Sequence, residues 1–421
     1  SAAGLHSPPM TIAPLHLIAA AHNGSPGVPH DASAQLRREP PQLVEPEGYE
    51  SFWPITRHAD ITEISSRPDL FCNGEGIVLL TDEQAHERDT SNPIVQMKTI
   101  IEMDPPDHRV FRRVASGFFT PRGIERLDEI VNDTAKLVID KLDSSGEADF
   151  VEQVAQRHPL RVLCTILGVA PEDEDHLLEL TSQLFAGEDE ELQRPGEDRA
   201  KAMEELGMEF FTMFNAIIED RRAHPRDDLA TMLANATLEN GEPMGMVETL
   251  GYYLIVFNAG HDTTRHALSG AFEAFLEHPD EFQRLKDDRS LLATAPDEVV
   301  RWVAPVNYMK RTVTTDTEFG GADMKAGDRL GLFYASANRD ETVFDDPNRF
   351  DLGRNPNRHL GFGWAEHYCL GAHLAKASIT ALLGQMADRI ETMEWAGDPA
   401  QVASSFVVGR KHLPVRYQLV A

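Results

Sequence analysis

The chain has 421 residues, with 39 Lys and Arg against 69 Asp and Glu, a formal net charge of -30. So large an acidic excess argues against nucleic acid or an anionic membrane as a partner of the whole surface. With 41% hydrophobic residues and three cysteines (Cys72, Cys164, Cys369), the composition is that of a globular protein without a disulfide framework, suited to a reducing cytoplasm.

Taken in order, residues 1–40 are rich in Pro, Ala and His and are expected to pack loosely, with one short helix. Pro8, Pro9, Pro14, His6 and His16 make this stretch a poor signal peptide. Residues 42–57 suggest a small β-hairpin, and 71–103 read as irregular, with Asn73, Gly74, Gly76 and Asn92-Pro93. A loop of that length in a compact domain is usually functional. From 104 to 240 the pattern is helical, with breaks near 144–146, 168–171, 187–196 and 224–228. The acidic runs at 172–175 and 188–191 read as solvated turns and helix starts.

One long apolar helix is expected over 246–277 and a second over about 281–303. Short strands follow between 312 and 333, then turn-rich coil over 339–360. A final helix is expected over about 370–388 and a terminal hairpin over 402–417. The most apolar run, 252–257, is far below the ~18 residues a membrane span needs. The simplest reading is one mainly α domain over 1–421 with small β-sheets.

Three stretches carry chemistry. Cys369 lies between a Gly-containing loop and the helix-forming run 372–376. A helix N-terminus favours thiolate over thiol, and a thiolate can bind iron. A lone Cys before a Gly is more often a small core residue, so the surroundings must decide. Within the long helix, 259–264 reads Ala-Gly-His-Asp-Thr-Thr. Gly260 weakens the helix, Asp262 puts a charge into an apolar segment, and Thr263 and Thr264 can bond back to carbonyls one turn earlier. A bulged helix with a polar lining is one reading; a helix with one wet face is the other. Glu298 and Arg301, three apart, share a helix face, a common spacing that means little alone.

Together these residues resemble a known family. Phe362, Gly363, His367, Cys369 and Gly371 are similar to the haem-binding loop of cytochrome P-450 enzymes. The family usually has a second glycine where this chain has Ala365, so a positive φ there would strain it by ~1 kcal/mol or more. The resemblance implies the cytochrome P-450 fold, with haem b (iron protoporphyrin IX) between the long central helix and the Cys-loop helix. Cys369 would be the axial iron ligand and Phe362 would border the haem. Thr263 would hydrogen-bond dioxygen, the co-substrate, and Asp262 would relay protons to it.

Glu298, Arg301 and Arg349 match the family's structural Glu-Arg-Arg network. His108 and Arg112, one turn apart on a helix, together with Arg311 and His359 would hold the haem propionates. Substrate would meet 76–80, 256–259 and 306–309, chiefly Val256, Asn258, Ala259, Val306 and Asn307, together with Phe406 and Val407.

The implied activity is insertion of one oxygen atom into a C–H bond of a small hydrophobic substrate, a terpenoid or similar hydrocarbon. The motifs at 221–222, 227–229, 336–341 and 357–364 resemble the bacterial terpene-hydroxylating type, which lacks the N-terminal anchor of microsomal members. The chain has no flavin, nicotinamide or iron–sulfur fingerprint. Electrons would therefore come from a separate ferredoxin and a flavin-dependent ferredoxin reductase, with Arg109, Arg113 and Lys376 as a local basic patch opposed by Glu366. Two other readings compete: a peroxide-using haem-thiolate enzyme, against which Asp262-Thr263 argues, and a haem-binding sensor without turnover.

Overall fold

The computed structural model describes residues 15–18, 28–90, 99–184, 189–193 and 199–420. Helices α1 (His30–Leu36) and α2 (His58–Ser65) flank strand β1 (Trp53–Ile55), and β2 (Phe71–Cys72) follows. Next come α3 (Asp107–Ser116), α4 (Asp128–Asp140), β3 (Ser145–Asp149), α5 (Arg157–Leu167), α6 (Glu174–Leu184) and α7 (Arg199–Ala223). The long helix α8 (Met246–Glu277) leads to α9 (Pro279–Asp287) and α10 (Ala295–Val303). Strands β4 (Tyr308–Val313), β5 (Thr317–Phe319), β6 (Ala322–Met324) and β7 (Arg329–Phe333) precede α11 (Ala372–Arg389). The chain closes with β8 (Ile390–Trp395), β9 (Ala400–Gln401), β10 (Arg410–His412) and β11 (Pro414–Leu419). Among the described residues no helix is long and apolar enough to cross a membrane.

Helix α8 is the spine. It has 32 residues and is apolar on several faces, so it must be enclosed by other helices. Tyr252, Tyr253, Phe257, Leu268, Phe272 and Phe275 are all buried in the main core. Each contributes ~1.5–3 kcal/mol by leaving water. Helices α5, α10 and α11 pack around it. It stops at Glu277 because His278 precedes Pro279, and a residue before proline avoids helical backbone. No break occurs at Gly260: the helix runs on, and Thr263 donates to the Ala259 carbonyl at 2.6 Å.

The helix expected over 281–303 is in fact three pieces. Asp288 takes an extended backbone and its side chain accepts from the Ser290 N–H at 2.9 Å, which caps a 3-10 turn at Arg289–Ala293. Pro296 then opens α10. The terminal hairpin is also divided. Strands β9 and β10 pair with each other, whereas β11 leaves at Pro414 to lie between β3 and β8. The sequence places a break near 144–146; the structure has a strand there because β11 offers it a partner. In the four-stranded sheet the order is β1-β7-β4-β2, with β1 parallel to β7. The expected hairpin over 42–57 is reduced to one antiparallel bridge, Val44 to Phe52.

Much of the expected loose segment, 1–14 and 19–27, lies outside the described residues. The rest is firmly seated. Leu17 and Ile18 are buried with Phe52, Leu79, Tyr308 and Phe333. Arg37 pairs with Glu341 at 3.0 Å and donates to the Ser336 and Arg339 carbonyls.

A buried ion pair fixes the coil between α10 and α11. Arg301 meets Glu298 with both forks, at 2.7 and 2.8 Å, and neither side chain is exposed. Arg301 also donates to the carbonyls of Asn338, Pro347 and Arg349. Glu298 accepts in addition from Asn357, the Asp351 N–H and Arg354 Nε, the last at 3.1 Å. The expected role of Arg349 is therefore corrected. Its side chain is exposed and only its carbonyl joins, while Arg354 supplies the second guanidinium. Every lone pair of the carboxylate is used, which is the condition for tolerating a buried pair. Glu298→Ala should cost about 3–5 kcal/mol by stranding Arg301, seen as a lower urea midpoint of the haem-loaded protein.

Candidate functional site

Between α8 and the loop before α11 lies a slot with about 1500 Å³ of empty space, including its mouth. Ile255, Val256, Ala259, Gly260, Thr263, Thr264 and Ala267 of α8 form one wall. Phe362, Gly363, His367, Cys369, Leu370, Gly371, Leu374 and Ala375 form the opposite one. At Gly260 helix α8 packs tightly on α5: a Cβ there would sit 3.1 Å from a Leu163 methyl.

Cys369 is open to the slot although protein encloses it on its other sides. Its N–H donates to the Phe362 carbonyl at 2.8 Å, which closes the loop on itself. Helix α11 begins three residues later, at Ala372. Burial raises the thiol pKa, and the Gly371 N–H and Arg112 only partly offset that rise. The helix end alone therefore does not make the thiolate. A coordinated cation would, because it outweighs the other local charges. Ala365 has φ +56°, so this loop does impose a left-handed residue where alanine stands.

One corner of the slot is cationic. His108 and Arg112 enter from α3, Arg311 from β4 and His367 from the loop. The rings of His108 and His367 are 4.2 Å apart. Arg112 donates to the Tyr368 carbonyl at 2.5 Å and Arg311 to the Lys310 carbonyl at 2.8 Å. Among the described residues neither arginine is ion-paired with a carboxylate. His367 Nε2 is buried without a partner, and burial, then Arg311, His108 and Arg112, push its pKa down to about 2. Unpaired guanidinium groups around an unpartnered imidazole form a site short of anions. Two haem carboxylates fit it.

The structure separates the other expected propionate partner from this corner. His359 does not line the slot: its Nε2 lies 2.9 Å from Asp297, and its Nδ1 accepts from the Gly361 N–H. With both nitrogens engaged, His359 is a strut between α10 and the loop. His367 takes its place at the slot; the sequence motif contains it, but only the fold shows where it points.

Of the expected substrate residues, Val256, Ala259 and Val306 line the slot, and Met309 joins them. Asn258, Asn307, Phe406 and Val407 do not. Asn307 donates to the Ser405 carbonyl, Phe406 packs on Tyr308, and Val407 bridges to Val306 from behind. Asn258 is buried in α8. The stretch 76–80 also stays outside: Ile77 and Leu79 bond to Lys310 and Tyr308. Asn73, Ile100, Ile101, Phe119, Pro159, Val162 and Leu163 complete the lining instead.

Asp262 lies one residue from the slot wall but faces away from it. It is 2% exposed, with Arg265 Nη2 at 2.5 Å and His266 Nε2 at 3.4 Å. Burial would raise its pKa, but Arg265 and then His266 hold it below the carboxylate range. The proposed basic patch is locally neutralised. Arg109 pairs with Glu366, Arg113 with Glu239 and Lys376 with Asp297.

A thiol on one wall, a hydroxyl on the other and a cationic corner between them are the setting of a haem-thiolate protein. A protein-family model of cytochrome P450 matches residues 78–393. The chain is 37% identical over 393 residues to cytochrome P450-terp of a Pseudomonas species, covering 91% of this chain and 92% of that one. It is 34% identical over 393 residues to linalool 8-monooxygenase of Pseudomonas putida, covering 92% and 95%. The crystal structure of CYP108D1 from Novosphingobium aromaticivorans superposes with a TM-score of 0.85 at 37% identity, covering 96% and 97%. The chain belongs to the cytochrome P450 family and is an oxidoreductase of the monooxygenase class, which uses haem iron and dioxygen.

Two substitutions test the loop. His367→Ala should speed haem loss to apomyoglobin about ten- to a hundredfold, the loss of one charge-assisted hydrogen bond of ~1.5–3 kcal/mol. Ala365→Gly should keep the thiolate-type spectrum and raise the melting temperature slightly, because relief of ~1–2 kcal/mol of strain is partly offset by the freedom of unfolded glycine.

Proposed function

We propose that the chain is a haem-thiolate monooxygenase that hydroxylates a C–H bond of a small hydrophobic terpenoid. Haem b is the cofactor, and a separate ferredoxin with its flavin-dependent reductase supplies the electrons. The observation that carries this reading is the slot: Cys369 faces Thr263 across it, and the anion-deficient corner of Arg112, Arg311 and His367, beside a His108 that already meets Glu366, lies at its edge. Bound haem, ligated by Cys369 and held by that corner, supplies the oxygen and electron chemistry. The overall balance is one C–H compound, one dioxygen, two electrons and two protons in, and one alcohol and one water out.

The chain's own residues do the rest. Ile255, Val256, Ala259, Val306 and Met309 form an apolar wall that keeps water out and holds a hydrocarbon by shape. Because Asn258 and Asn307 do not line the slot, orientation rests mainly on packing. The Thr263 hydroxyl, bonded to the Ala259 carbonyl at rest, can turn its proton into the slot. Asp262, behind it, is the acid that refills that proton. The free thiols Cys72 and Cys164 suit a cytoplasmic location. The names of the two relatives support the terpenoid class; a relative of similar identity, 34%, is a steroid C26-monooxygenase of Rhodococcus jostii, so substrate size is the point to test.

Thr263→Ala should go on consuming reductant while product falls on the order of tenfold or more and hydrogen peroxide appears in its place. Product yield equal to the parent's would remove Thr263 from the mechanism. Titration with monoterpene alcohols and with sterols, followed by the spin-state change, decides the class: tighter binding of the sterols would exclude the terpenoid reading.

A further inference from the structure

Helix α8 carries a polar stripe behind the slot. Asp262, His266, Ser269 and Glu273 stand at four- and three-residue intervals, so they share one face. The stripe starts at a fully enclosed carboxylate and ends at Glu273, half-buried and ion-paired with Arg410 of β10. His266 is the second member. Its Nε2 lies 3.0 Å from Arg265 Nη2 and 3.4 Å from Asp262 Oδ2. Its Nδ1, on the other side of the ring, is buried without a partner.

The ring is built into place. A Cβ on Gly409 would lie 2.1 Å from His266 Nδ1, so only glycine just before β10 leaves room for the imidazole. Arg265 Nε and His261 Nδ1 are also buried without partners. Buried donors and acceptors left over in this way are where ordered water binds. Arg265 cannot move a proton, since a guanidinium does not titrate in the working range. His261 is engaged with the Gln156 carbonyl at 3.2 Å and stacks on Phe257.

We propose that His266 is a proton-relay residue that returns a proton to Asp262 from the Gly409–Arg410 side of α8. The proposal rests on the reading of Asp262 as the acid behind Thr263. In the transfer, a water on the β10 side gives a proton to Nδ1 and takes a replacement proton from solvent, while Nε2 gives its proton to Asp262 Oδ2. The N–H bond at Nε2 breaks, one forms at Nδ1, and the carboxylate becomes a carboxylic acid. The ring is neutral before and after, and water then restores the first tautomer. Arg265 assists. Once Asp262 is protonated and is a weaker acceptor, the bare Nε2 can take the Nη2–H already 3.0 Å away. The charged groups that face the ring are Asp262 and Arg265, themselves ion-paired, and the Glu273–Arg410 pair lies further along the stripe. Burial, then Arg265, lowers its pKa, which keeps the ring neutral, the state in which the exchange begins and ends.

His266→Gln keeps a polar side chain but cannot carry a proton. In the holoenzyme with saturating substrate and reductant, it should slow product formation on the order of a hundredfold and raise the solvent deuterium isotope effect, with haem content and substrate-induced spin shift unchanged. Asp262→Asn is run beside it. A slow Asp262→Asn with His266→Gln as fast as the parent overturns the relay and leaves the Asp262 reading standing. A fast Asp262→Asn overturns that reading and this inference with it.

A readout independent of turnover is the nitrogen-15 spectrum of His266 in the reduced, carbon-monoxide-bound protein. Asp262→Asn should shift the Nε2 resonance; an unmoved resonance shows that the two groups are not coupled and overturns the relay. Should His266→Gln lose haem, Gly409→Ala keeps the imidazole but drives it off Asp262. It carries the same expected slowing, and a rate equal to the parent's overturns the proposal.

Discussion

The paired forks of Glu298 and Arg301 are the constraint on which the loop geometry depends. Taking two charges out of water is costly, and their attraction offsets that cost only when every remaining donor and acceptor is met. Here the partners are the backbone of residues 338–351 and the side chains of Arg354 and Asn357, so satisfying the pair folds the coil. That coil delivers His359 to Asp297 and the Leu360 N–H to Asn338, and the loop to Cys369 starts from there. The slot-facing thiol is thus located by an ion pair that never touches the slot.

The site spends charge in two opposite ways. Around Glu298 and Asp262 the carboxylates are fully matched by cations. Around His367 the cations are left unmatched, and the imidazole is driven far from protonation. A protein keeps such an imbalance only where a ligand brings the missing charge. The cationic corner can therefore be read as the imprint of a dicarboxylate, while the Asp262 cluster is a self-contained acid.

What was legible in the sequence follows from locality. Helix α8 was placed to the residue, because apolar periodicity and the His278-Pro279 stop are both local. The Cys loop and the acid–alcohol pair were legible because their residues are contiguous. The split at Asp288 was missed, since one capping side chain outweighed a good helical pattern. Strand β3 exists only because β11, far along the chain, pairs with it. The choice between His359 and His367, and between Arg349 and Arg354, depends on which way a side chain points across a fold. Neighbouring histidines and arginines carry no local mark of that. The same holds for Asn258 and Asn307, polar residues beside the slot that do not line it.

Gly260 and Leu163 have a consequence for the volume above the thiol. With no side chain on α8 at that point, the methyls of Leu163 act as a spacer against bare backbone and also form part of the slot lining. The headroom is therefore gauged by one side chain on α5, not by α8, which is held along its whole length. A family member can retune the size of molecule it admits by changing that spacer alone, without disturbing the helix that carries Thr263 or the acid behind it.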